Sequence, residues 1–87
     1  MTKIYIYCLF DRYDKFLGVY SSLKSVHRDS IRYCNRGNSA VFMIREGSRY
    51  PASLVNLRNF FKGKCDYEIM YATNVSGVKI FKTRLTE

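Results

Sequence analysis

The chain has 87 residues, 15 of them Lys or Arg and 7 Asp or Glu, with 47% hydrophobic content and a net charge of +8. A chain this short holds one core and one domain, and it is too apolar to be disordered. No run approaches the roughly 18 apolar residues of a membrane span, and Met1 to Phe10 lack the features of a secretory signal, so a soluble, unexported, cytoplasmic protein is expected.

Ile4-Tyr5-Ile6-Tyr7-Cys8-Leu9-Phe10 is β-branched and aromatic, with apolar or aromatic residues at both alternating sets of positions. The pattern predicts a strand buried on both sides. Asp11 to Lys15 is polar enough to turn the chain, and Phe16 to Tyr20 supplies the second strand of a hairpin. Ser21 and Ser22 offer hydroxyls to cap free helix amides, and a helix is predicted from Leu23 to Arg36, ended by Gly37.

Projected at about 100° per residue, this helix gathers Tyr33, Val26, Ser30, Leu23, Cys34, His27 and Ile31 on one arc. Lys24, Arg28, Arg32 and Arg36 fall opposite, at i, i+4, i+8 and i+12, which makes a positive ridge about 18 Å long. Four like charges at that spacing repel by a few tenths of a kcal/mol per pair, a cost that an acidic partner would offset. Only Asp29 lies near the ridge. His27 is read as a partly buried structural histidine.

Ala40-Val41-Phe42-Met43-Ile44 reads as a third strand, followed by the polar turn Glu46-Gly47-Ser48-Arg49. Pro51 suits the first turn of a second helix, with Ser53 as the alternative cap. Leu54, Leu57, Phe60 and Phe61 line its apolar stripe, and Gly63 stops it. Tyr67 to Ala72 and Val78 to Thr83 flank the turn Thr73-Asn74-Val75-Ser76-Gly77 and close the chain with another hairpin. The class is α+β in the order ββαβαββ, a small antiparallel-rich sheet with two helices on one face.

Charge is spread evenly, with seven basic and three acidic residues before position 45 and eight and four from there on. The chain therefore has no basic tail. Cys8, Cys34 and Cys65 are odd in number and far apart, which fits a reducing compartment and disfavours a disulfide framework. With His27 the only histidine, structural zinc is disfavoured, and the cysteines read as small hydrophobes in or near the core. A Cys-His pair for nucleophilic catalysis stays open on composition alone. Eight tyrosines and six phenylalanines are more than a core of this size holds, so several rings are expected to be partly exposed on the sheet. Exposed rings beside cations suit single-stranded nucleic acid and protein interfaces alike. The RNA-recognition pattern, a phosphate-binding Gly-rich loop, H-E-x-x-H and G-x-S-x-G do not occur.

Lys3-Ile4-Tyr5, ten residues, then Phe16-Leu17-Gly18, followed by a helix carrying Arg28, is similar to the opening of the GIY-YIG nucleases over residues 3 to 36. That resemblance implies a phosphodiesterase in which Tyr5 and Arg28 act with a metal-binding glutamate on a later helix. Here Lys3 replaces the first glycine and Phe16 the second motif's tyrosine. The acids after residue 60 are Asp66, Glu68 and Glu87, with Glu68 in a predicted strand, so Mg²⁺ has no helix-borne carboxylate. A second resemblance rests on Gly18-Val19-Tyr20-Ser21-Ser22-Leu23-Lys24 entering a helix and on the closing strand at Val78 to Thr83. In these segments the chain resembles the small proteins common in bacteriophage early regions. It implies a domain that acts stoichiometrically on a host enzyme or nucleic-acid machine, in the host cytoplasm.

These readings point to a non-catalytic, cofactor-free interaction protein that binds an acidic host protein through Lys24, Arg28, Arg32 and Arg36, with no metal site and no membrane partner. Direct DNA or RNA binding by the same ridge is the alternative, and residual nuclease activity the third.

Overall fold

The computed structural model describes residues 4–34 and 40–85, so Lys3, Arg36, Gly37 and Glu87 lie outside the described residues. Two strands, β1 (Tyr5–Asp11) and β2 (Phe16–Tyr20), form the expected hairpin. Its turn is tied by the Asp11 carboxylate, which accepts from the backbone N–H groups of Tyr13 and Lys15 at 2.8 and 2.9 Å. Helix α1 (Leu23–Cys34) follows, its first turn capped by the Ser22 hydroxyl, which accepts from the Ser25 N–H at 3.2 Å. Val26, Ser30 and Cys34 are its buried residues, while Leu23, His27, Ile31 and Tyr33 are partly buried, as the projection placed them.

Next come β3 (Phe42–Arg45), β4 (Ser48–Pro51), α2 (Leu54–Phe61), β5 (Tyr67–Ala72) and β6 (Gly77–Arg84). The seven predicted elements all occur in the predicted order, and β4 is an eighth. Glu46 and Gly47, with φ of 51° and 84°, form a two-residue hairpin loop, so the chain turns back at once and Ser48 pairs with Arg45. Pro51 therefore ends a strand instead of opening a helix. It is tolerated because β4 is an edge strand, where a missing N–H costs no ladder bond. Ser53 is the α2 cap, its hydroxyl accepting from the Asn56 N–H at 3.0 Å.

All six strands join one antiparallel sheet in the order β2-β1-β6-β5-β3-β4. Side chains alternate across it, and the register sorts them into two unlike faces. One face holds the buried Tyr7, Leu9, Met43, Ile69, Tyr71, Val78 and Ile80, which form the core with Val26 and Cys34 of α1 and Leu57 and Phe61 of α2. The Phe61 ring meets Tyr7 at 5.8 Å and Tyr67 at 6.3 Å, and His27 meets Tyr71 at 5.6 Å. Lys82 is buried on this same face. Its Nζ donates to the carbonyl of Phe61, the last residue of α2, at 2.7 Å and lies 4.5 Å from the Tyr5 ring centroid. A cation at a helix C-terminus satisfies a free carbonyl and suits the helix dipole.

The other face carries Ile6, Cys8 and Phe10 of β1, none of them buried. β1 is thus buried on one side only, against the expectation of a strand buried on both. The cysteines also divide: Cys34 is buried, Cys8 partly exposed and Cys65 exposed, so Cys65 is no core residue.

Candidate functional site

Lys24, Arg28 and Arg32 are exposed on one side of α1, as predicted, and Arg36 lies outside the described residues. The ridge has a carboxylate in its middle. Asp29 Oδ1 accepts from Arg28 Nε at 3.2 Å and from Arg32 Nη1 at 3.3 Å, while its Oδ2 accepts from the Tyr20 hydroxyl at 2.6 Å. The Tyr20 hydrogen bond, helped by those of the two arginines, holds the Asp29 carboxyl below its ordinary range. Burial, with Asp29 adding to it, pushes the Tyr20 hydroxyl up to about 12. Asp29 thus pins both guanidinium groups in place while their remaining N–H groups point to solvent. Exposed ion pairs of this kind add little stability, so their effect is orientation.

The second helix is cationic as well. Arg58, Lys62 and Lys64 are exposed on α2 and just beyond it, and α2 packs against α1. Residues 23–34 and 54–64 together carry six cations and one anion, an excess of five in a chain of net charge +8. Position in the sequence conceals this, because each half of the chain carries the same net charge. Folding brings the two helices together and creates the bias.

The sheet's second face is the feature that sequence reasoning missed. Phe16 and Val19 of β2 are 57% and 56% exposed. Phe42, Ile44, Met70 and Phe81 join them with partial exposure. A bulge produces part of this pattern: Leu9 pairs with Gly18 but Phe10 with Phe16, so Leu17 is skipped and packs on the core while the Phe16 ring meets Phe10 at 5.7 Å. The expected exposed rings on the sheet exist, but they are phenylalanines, and the exposed Tyr13 sits in the β1–β2 turn. Seven tyrosines, at 5, 7, 20, 33, 50, 67 and 71, belong to or pack against the core. The alternation in Val78-Lys79-Ile80-Phe81-Lys82 was the available signal, since it sets Phe81 opposite Val78 and Ile80.

The residues carrying the nuclease resemblance are placed apart. The hairpin and helix follow one another as in that family's opening, yet Tyr5 pairs with Arg84 at one end of β1 and Phe16 with Phe10 near the other, on the opposite face. Arg28 is bound to Asp29, and Glu68 is exposed on β5. Among the described residues no three His, Cys, Asp or Glu side chains gather as a metal-binding group. His27 Nδ1 is hydrogen-bonded to the Tyr71 hydroxyl at 2.6 Å, and the Cys34 thiol donates to the Tyr71 carbonyl at 3.5 Å. Burial lowers the His27 pKa and pushes the Cys34 thiol up to about 11. A thiol held that firmly protonated is a poor nucleophile.

At one end of the sheet the β1–β2 and β5–β6 turns enclose a cleft of about 480 Å³ lined by Arg12, Tyr13, Lys15, Tyr33 and Ser76 among others. The Arg12 guanidinium is already engaged there, donating to the Val75 carbonyl at 3.0 Å and to the Tyr13 hydroxyl at 2.6 Å. No helix among the described residues is long and apolar enough to cross a membrane. No protein family, curated protein or solved structure matches the chain.

Proposed function

We propose that this is a non-catalytic binding protein whose two helices present a cationic surface to an acidic protein partner. The carrying observation is the excess of five positive charges on α1, α2 and the residues just after α2, with the Arg28 and Arg32 guanidinium groups pinned by Asp29. The reading takes both helices as lying on one face of the sheet, which the Phe61 contacts to Tyr7 and Tyr67 and the His27 contact to Tyr71 support. Asp29 favours a protein over nucleic acid as the partner. A carboxylate inside the ridge repels a continuous phosphate backbone, whereas separate carboxylates on a protein pair with the free guanidinium N–H groups one at a time. The likeness to bacteriophage early proteins extends the proposal to a host protein met in the cytoplasm, with stoichiometric binding as the mode of action.

An oligoglutamate peptide and a duplex DNA of equal charge, titrated over a range of salt, test the reading. The parent should bind the peptide, and Lys24→Glu with Arg32→Glu should weaken it more than tenfold, over about 1.4 kcal/mol. Lys15→Glu with Arg84→Glu changes the net charge equally at exposed sites off the helices and should cost much less. Tighter binding of the DNA, with steep salt dependence, would replace the proposal by direct nucleic-acid binding. Incubation with Mg²⁺ should leave plasmid DNA intact, and cleavage lost on Arg28→Ala would establish a nuclease instead.

A further inference from the structure

The phenylalanine face of the sheet has no partner within the described chain. An antiparallel sheet with one side in water ordinarily alternates apolar and polar residues, and a contiguous apolar patch of several hundred Å² marks an interface. Here the side turned away from the core carries apolar residues on each of β2, β1, β6, β5 and β3, with Lys79, Thr83 and Glu68 among them. We propose that the occupant is a second copy of this chain, packed sheet on sheet around a two-fold axis.

Charge argues for the second copy first. Although the chain carries +8, this face has no positive excess: Lys79 is paired with Asp14, Arg49 lies over the Phe42 ring at 4.6 Å, and Glu68 and Asp66 are also present, the latter accepting from Thr83 at 2.6 Å. Two such faces meet without the positive excess that the rest of a +8 chain would bring to the interface. Packed sheets stand about 10 Å apart, and a helix is about 10 Å thick, so the two cationic helix surfaces would lie beyond roughly two Debye lengths at 0.1 M salt. The same inventory disfavours nucleic acid on this face, because both cations are engaged and the free carboxylates repel phosphate.

Area is the second argument. The five strands of this face at about 4.8 Å spacing, with about five residues each at about 3.4 Å, give a planar footprint of ~400 Å². Side-chain relief raises that toward the ~600–800 Å² per partner of a specific interface. Chemistry is the third. Phenylalanine, isoleucine, valine and methionine bring no hydroxyl that a dry interface would have to satisfy, whereas the strand tyrosines sit on the other side of the sheet.

Sedimentation equilibrium between about 1 µM and about 1 mM covers the range in which such an interface dissociates. The parent should approach twice its 10.3 kDa mass as concentration rises. Met70→Glu and Phe81→Glu, at the middle strands of the face, should each weaken the dimer by more than about 100-fold and keep the parent's thermal unfolding as monomers. Cys8, on this face, supplies a readout without substitution: its alkylation should slow as protein concentration rises, while the exposed Cys65 reacts at a constant rate. A parent that stays monomeric with Cys8 reactivity independent of concentration overturns the proposal. So does a dimer that survives both glutamate substitutions. In either case the acidic-partner reading stands or falls separately, on whether the oligoglutamate peptide still binds.

Discussion

The two faces of the sheet use aromatic rings in opposite ways. Tyrosines collect on the buried face, where several hydroxyls have a designated partner: Tyr71 with His27, Tyr20 with Asp29 and Tyr50 with Arg45. Phenylalanines collect on the exposed face, where no hydroxyl is available to water. Ring polarity thus runs against exposure. The hydroxyls on the buried side act as directional ties, from Tyr71 and Tyr20 to α1 and from Tyr50 to the neighbouring strand, while the bare rings opposite offer adaptable area with no direction of their own.

The sharpest way to break this contrast is from the helix side. Val26→Asp strands a charge in the core and should cost about 3–5 kcal/mol in a urea unfolding series; parent-like stability would mean that α1 does not bury that arc. Neighbours on β6 give the next largest effect. Ile80→Ala should cost about 2–5 kcal/mol, and Phe81→Ala less than about 1 kcal/mol at concentrations where the chain is monomeric. Equal losses at the two positions would erase the distinction between the faces. Lys82→Met removes the donor to the Phe61 carbonyl but keeps the aliphatic volume, and a loss of about 1–3 kcal/mol is expected from thermal melts.

The smallest effect is one of pH. Because burial lowers the His27 pKa below its unfolded value of 6.5, the unfolded chain binds the proton more readily, and stability should fall as pH drops through 6.5 toward the folded pKa. His27→Gln should flatten that slope between pH 7 and 5. An unchanged slope would place the titration elsewhere.

Much of the architecture was legible because period and punctuation agree. Ser22, the α1 arc and the closing hairpin were all read from local chemistry, and Lys24, Arg28 and Arg32 stand where a helical projection puts them. What escaped depends on register. Glu46-Gly47 was readable as turn chemistry, but only a left-handed Glu46 shortens the loop to two residues and makes Ser48 to Pro51 a strand. The bulge that skips Leu17 sends Phe16 to the opposite face, and no local pattern announces it. Lys82 illustrates the same limit: strand alternation sets it beside Ile80, but its acceptor is a helix terminus far away in sequence. The shared carboxylate of Asp29 was half visible, since its neighbours on the helix were plain and its bond to Tyr20 was not.

The order of strands also governs how the molecule is assembled in time. β6, the last strand, lies between β1 and β5, so the first hairpin gains its inner neighbour only after every other element has been traversed. Contacts between segments more than 60 residues apart close large loops before they return any stabilisation. Slow folding, in the range of about milliseconds to seconds typical of nonlocal β pairing, follows from this connectivity. Until β6 docks, β1 offers an unpaired backbone edge with apolar side chains on both of its faces, which makes the hairpin the segment most exposed to misassociation during synthesis.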